Sequence, residues 1–122
     1  EMDKERWRPI LQWWGVEFRR HYFGWDYWVR KMVEKLLTMD EDIAVVTDVR
    51  FRDEADFIRA SGGFVVRVKR ETGLQDGHSS ETDLDGYSGF QTTLSNDGTL
   101  DELEEKVFCF MSQMHDLEMV AI

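Results

Sequence analysis

Cysteine is almost missing from this chain: among 122 residues only Cys109 carries a thiol. An internal disulfide is therefore excluded, and a reducing, cytoplasmic setting is the simpler expectation. No stretch approaches the ~20 consecutive apolar residues of a membrane-spanning helix, and no secretory leader is expected. Positive charge is also scarce, with 15 Lys and Arg against 25 Asp and Glu, a net −10. That balance disfavours a general nucleic-acid binder, which needs a basic face to displace counterions. It equally disfavours an anionic membrane surface. A small anionic ligand stays possible, because a local arginine cluster outweighs a distant acidic surface. The three histidines, His21, His78 and His115, do not have the spacing of a zinc site. His78 beside Ser79 and Ser80 imitates a base and nucleophile, but adjacent side chains rarely face one another, so a solvated loop histidine is expected.

Aromatic and apolar residues are plentiful: 42% of the chain is apolar, with five Trp and eight Phe. This composition predicts a packed globule, and the length suits one domain over 1–122. Residues 5–20, "ERWRPILQWWGVEFRR", place Trp7, Ile10, Leu11, Trp14 and Phe18 at helical spacing. Pro9, the single proline, fits the first turn. A break is expected at Gly24, then a second amphipathic helix over 26–39. "IAVVTD", 43–48, reads as a strand buried on both faces. "DEADFIRASGG" reads as a helix ended by Gly62 and Gly63, and "GFVVRVKR", 63–70, as a second strand, which together make a right-handed βαβ unit. Residues 71–90 are rich in Gly, Ser and Asp and read as a long loop, with Ser80 and Asp83 able to start a short helix. "QTTLSN", 91–96, is the third strand. In the last helix Thr99 and Glu102 form a capping box, and Leu100, Leu103, Val107, Phe110, Met111 and Met114 form the buried stripe. Cys109, in the same run, is expected as a buried or partly buried structural thiol. The predicted fold is α/β: a small three-stranded, mainly parallel sheet with flanking helices.

The strand ends carry charge. Asp48 and Arg50 close the first, Arg67, Lys69 and Arg70 the second, and Asn96 and Asp97 the third. Ligands of open α/β sheets sit beyond the carboxyl ends of the strands, and arginine offers a planar fork of donors suited to phosphate. These guanidinium groups are expected to converge at one rim, with Asp48 able to hold a magnesium water or orient a substrate hydroxyl. The opposing reading pairs Arg50 and Arg52 with Asp53 and Glu54 on a solvated helix start. Arg19 and Arg20, in turn, read as complements to a helix dipole. The tryptophan-rich segments read mainly as core, with one ring able to stack on a base.

"LQWWGVEFRR", "DYWV", "VVTDVRFRDEADFIRASGGFVVRVKR", "DGHSSE" and "NDGTLDELEEKV" follow one another in this sequence. Their order and spacing resemble phage-type deoxynucleoside monophosphate kinases, members of the P-loop nucleotide kinase superfamily, from about residue 8 to about 108. The resemblance implies transfer of the γ-phosphoryl of ATP, with Mg2+, to a deoxynucleoside monophosphate. It implies a substrate wall at Gln12, Gly15, Arg19 and Trp28, and phosphate-facing catalytic residues at Asp48 and Arg50. Asp48 is also the implied metal ligand. Arg67 and Arg70 become phosphate clamps, 70–90 a lid-like loop, and Asn96, Asp97 and Gly98 the turn near the donor base.

One feature of such kinases does not occur in these residues: a strand followed by G-x-x-x-x-G-K-[ST]. None of Lys4, Lys31, Lys35, Lys69 and Lys106 is followed by Ser or Thr. Without that loop the chain is expected to be inactive alone and to carry the fold without its first strand. A homo-oligomer, or pairing with a separate P-loop segment, is expected to fill the gap. The alternatives are a non-catalytic nucleotide-binding or assembly module derived from that fold, and a purely structural oligomer.

Overall fold

The computed structural model describes residues 4–71, 78 and 82–120. They fall into two compact units. The first holds Glu1–Gly63 and Gln75–Gly89, the second Phe64–Leu74 and Phe90–Ile122.

The first unit is helical. Helix α1 (Lys4–Gln12) contains Pro9 and runs into a π-helical segment, Trp13–Arg20, then a short α2 (His21–Phe23). Pro9 lies inside α1 rather than in its first turn. The chain turns at Gly24, whose φ of 105° suits a residue without a side chain. Helix α3 (Tyr27–Leu36) follows, a little shorter than the spacing predicts. The indole of Trp28 donates to the carbonyl of Gly15 at 2.9 Å and so ties α3 to the π-helical segment. Helix α4 (Arg52–Ala60) ends at Gly62, whose φ is 85°. Ala55 is its buried residue. The first turn of α4 is capped from a distance: the Arg52 amide donates to Asp83 Oδ2 at 2.8 Å. Ser80, the other half of the helix start read near 80–83, lies outside the described residues.

The strand expected over 43–48 does not form. A strand exists through its ladder, and among the described residues no backbone–backbone hydrogen bond involves residues 42–49. With no partner to close the ladder, the β-branched run stays open: Ile43 is 69% and Val45 82% exposed. The βαβ unit read over 43–70 falls with it.

The second unit carries the sheet. Strands β1 (Val66–Lys69) and β2 (Thr92–Ser95) pair in parallel, Val66 opposite Thr92 and Lys69 opposite Ser95. The sheet has two strands, not three. Helix α5 (Leu100–Val120) begins with the expected capping box: the Thr99 amide donates to Glu102 Oε2, and the Glu102 amide to Thr99 Oγ1. Its covered positions are Leu103, Lys106, Phe110 and Met114. Lys106 donates to the Ser95 carbonyl and hydroxyl, both at 2.8 Å, and Phe110 meets Phe64 edge to face. Leu100, Val107 and Met111 of the predicted stripe are exposed. Cys109 is exposed as well, because it lies off the covered line 103–106–110–114. Among the described residues no helix is long and apolar enough to cross a membrane.

Candidate functional site

The first unit contains a cleft of about 500 Å³. One wall comes from α1 and the π-helical segment. Lys4, Arg8 and Gln12 recur every fourth residue and therefore share a helix face, with Leu11, Gly15 and Val16 beside them. Trp28 and Met32 of α3 supply an apolar wall. The rim is the stretch Val46–Phe51, with Glu54 behind it.

That rim is held by a charged network. Arg20 is only 2% exposed, and its guanidinium donates to Asp53 Oδ1 at 2.7 Å and to Glu54 Oε1 at 3.1 Å. It also lies 4.0 Å from the centroid of the Phe51 ring, a cation–π contact. The second oxygen of Glu54 accepts the backbone amides of Arg50 (3.0 Å) and Phe51 (3.1 Å). Burial pushes the Glu54 carboxyl above its ordinary value, against those two amides and the Arg20 charge, which hold it down. Just before this anchored turn, Asp48 adopts φ 57°, the one left-handed non-glycine backbone among the described residues. Asp tolerates that conformation better than most residues, and such strain gathers at functional sites. The Asp48 carboxylate is 79% exposed and lies 3.6 Å from the half-open Arg50 guanidinium.

The cleft brings together Gln12, Gly15, Trp28, Asp48 and Arg50. Arg19 is not among its lining residues. Its guanidinium sits 4.4 Å over Trp14, near Phe18, Phe23 and Tyr27, and donates to the Tyr27 hydroxyl at 3.1 Å. Arg67, Arg70, Asn96, Asp97 and Gly98 belong to the second unit. There Arg67 lies 5.6 Å from the Phe90 ring, and Arg70 is exposed. The Asn96 amide donates to the Lys69 carbonyl, while Asp97 accepts the Glu71 amide.

The opposing reading of the charged rim paired Arg50 and Arg52 with Asp53 and Glu54 and did not include Arg20. Asp53 and Glu54 are taken by Arg20, whereas Arg52 turns to the backbone carbonyls of Asp83 and Asp85. Sequence reasoning passed over Lys4 and Arg8, although the Lys4–Arg8–Gln12 spacing carried the signal. It also left Arg20 as a dipole complement.

The family model of deoxynucleotide monophosphate kinases matches residues 2–107. The chain belongs to the deoxynucleotide monophosphate kinase family. It is 27% identical over 127 aligned positions to the "Putative deoxynucleotide monophosphate kinase" of Acanthamoeba polyphaga mimivirus, covering 88% of this chain and 64% of the relative. It is 33% identical over 104 positions to the deoxynucleotide monophosphate kinase of Escherichia phage RB69, covering 82% of this chain and 42% of the relative. The chain thus spans less than two thirds of the length of either viral kinase. No solved structure matches it.

Proposed function

We propose that the cleft of the first unit receives a deoxynucleoside monophosphate, the acceptor in phosphoryl transfer from ATP. The observation that carries this reading is the make-up of one cleft: an indole, an amide, the cations Lys4, Arg8 and Arg50, and the Asp48 carboxylate on strained backbone beside Arg50, in a chain of net charge −10. Trp28 offers a face for the base, and Gln12 an amide for its polar edge. Arg50 meets the phosphate, with Lys4 adding positive potential along α1, while the charge of Arg8 is offset by its ion pair with Glu5 at 2.8 Å. Phosphoryl transfer asks the protein mainly for positioning and charge stabilisation, and these residues supply both on the acceptor side.

Magnesium suits the rim. The ion usually keeps several waters and takes one or two carboxylates plus phosphate oxygens, and the exposed Asp48 carboxylate is of that kind. Among the described residues no three His, Cys, Asp or Glu side chains gather, so phosphate and water would complete the coordination. When bound, magnesium neutralises charge on the transferring phosphoryl oxygens. For ATP the fit is partial. The G-x-x-x-x-G-K-[ST] loop is not among these 122 residues, and no donor step is assigned to them beyond candidate clamps at Arg67 and Arg70 and a base-side turn at Asn96–Gly98. The two-stranded sheet with its helices is read as part of the nucleotide-kinase fold. Turnover is proposed only where a phosphate-binding loop is supplied by another segment, and these residues alone are proposed to bind without catalysing.

A second reading, assembly, is favoured by the exposed Ile43 and Val45 on backbone that makes no ladder among the described residues. A strand from a second copy, or from a segment bearing the missing loop, would cover them. Light scattering on the purified chain tests the homo-oligomer; a monomer at all concentrations rejects it.

The nucleotide reading is tested by titrating each of the four deoxynucleoside 5′-monophosphates while following tryptophan emission. A saturable change below about 1 mM, the usual upper range for substrates, supports the site, and its loss in Trp28→Phe places the signal. Silence from all four rejects the reading.

A further inference from the structure

The cleft's two charged rim groups, Asp48 and Arg50, sit on a turn that has no ladder of its own: no backbone–backbone hydrogen bond among the described residues involves 42–49. What holds that turn is side-chain chemistry. Glu54 Oε2 accepts the amides of Arg50 and Phe51, which fixes the peptide planes on either side of the Arg50 α-carbon. Its other oxygen, Oε1, is held by Arg20 Nη1, which limits the swing of the carboxylate. Nη2 of the same fork is bound to Asp53, and the plane of the fork rests on the Phe51 ring.

Arg20 thus touches three residues within one four-residue stretch, Phe51, Asp53 and Glu54, from a helix that also contributes Gly15 and Val16 to the cleft. It does not line the cleft. We infer that Arg20 is a positioning residue: it sets the Asp48–Arg50 turn against the wall carrying Gln12 and Gly15, acting through Glu54 and the backbone amides of Arg50 and Phe51.

The chemistry of the group argues for placement over simple stability. A buried ion pair is a poor source of net stability, because desolvating the charges offsets their attraction. Arg20 further leaves its Nε buried without a partner among the described residues, a cost a hydrophobic residue would avoid. What a hydrophobic residue lacks is two separately aimed donors. Lysine lacks the planar fork as well, so it keeps the charge and loses the two-point hold.

This inference rests on the nucleotide reading for its consequence, but its cause is measurable without ligand. Amide exchange is followed by NMR in the full chain for the wild type, Arg20→Lys and Asp53→Asn. Asp53 is half-open to solvent, so the second variant removes one anchor without emptying a buried site. The expected result is exchange at the Arg50 and Phe51 amides at least about 10-fold faster in Arg20→Lys and about 3-fold faster in Asp53→Asn, with Val16 and Ala55 unchanged in both. Affinity for the deoxynucleoside monophosphate that the wild type binds falls in the same order. Uniform acceleration at all four amides in the folded variants makes Arg20 merely structural and overturns the inference. Unchanged exchange at Arg50 and Phe51 in Asp53→Asn overturns it too, even if Arg20→Lys fails to fold. Absence of nucleotide binding by the wild type, with the exchange pattern as expected, sinks the nucleotide reading and leaves the positioning of the turn intact.

Discussion

Two neighbouring stretches of the first unit invert what composition suggests. Residues 43–46, Ile-Ala-Val-Val, are apolar and open, with Val45 82% exposed. In residues 51–54, Phe-Arg-Asp-Glu, Arg52 and Asp53 are exposed, yet Phe51 is buried and the charged Glu54 side chain is only 13% exposed, paired with an Arg20 that is 2% exposed. The difference teaches that partners decide burial as much as polarity does. Apolar side chains on a strand-like run need a ladder to bring them inside, and among the described residues this one makes none. Charged side chains go inside when each meets its counter-charge or an amide, as Glu54 does with Arg20 and two backbone donors.

The strongest way to break the comparison is to remove the buried cation. Arg20→Met leaves Asp53 and Glu54 facing no counter-charge, and unfolding in urea is expected to show a loss of about 3–5 kcal/mol. A loss below about 1 kcal/mol would mean the pair is not buried in solution. Next comes the exposed cation at the same turn. Arg50→Ala is expected to weaken deoxynucleoside monophosphate binding by about 10- to 100-fold, the worth of a charge-assisted hydrogen bond. It leaves the urea midpoint nearly unchanged, because the backbone amide that Glu54 accepts is kept in the variant.

A smaller effect sharpens the covered half. Glu54 has its carboxyl raised above the ordinary 4.5 by burial. The folded chain therefore holds that proton more tightly than the unfolded chain. The contribution of Glu54 is greatest below about pH 4.5 and declines as pH rises through its folded value. Urea stability of the wild type minus that of Glu54→Gln, measured across this window, is expected to fall with rising pH by at most about 1.4 kcal/mol per pH unit. A difference that grows with pH would mean that the ion pair with Arg20 outweighs burial. The smallest effect belongs to the open half. Val45→Thr is expected to shift stability by less than about 0.5 kcal/mol; a cost of 2 kcal/mol, typical of core truncation, would show the segment packed in solution.

The helices were legible because periodicity is local. Trp28, Val29, Met32 and Leu36 recur as one helix demands, and Thr99 with Glu102 announced the start of α5. The strand over 43–48 was misread because a β-branched run records propensity and not the presence of a neighbour. Cys109 was misread for a related reason: α5 is apolar on more sides than its own unit covers. Choosing between Arg19 and Arg20 needed the π-helical segment. An i→i+5 ladder turns less per residue than an α-helix, so a face projected at 3.6 residues per turn drifts along Trp13–Arg20. At the cleft, Gln12 and Trp28 were chosen through the family resemblance, and Asp48 and Arg50 from the charge closing the expected strand; all four line the same cavity. Lys4 and Arg8 were readable from spacing alone and went unread. The roles of Arg67, Arg70 and Asn96–Gly98 toward a donor nucleotide stay proposals, since those residues belong to the other unit.

The most direct measurement of the central claim is a two-dimensional NMR titration of the chain with a deoxynucleoside 5′-monophosphate. The account predicts that the Trp28 indole N–H and the amides of Gln12, Gly15, Asp48 and Arg50 shift together along one saturable curve. Shifts confined to α5 of the second unit, or none that saturate at those five groups, would contradict it.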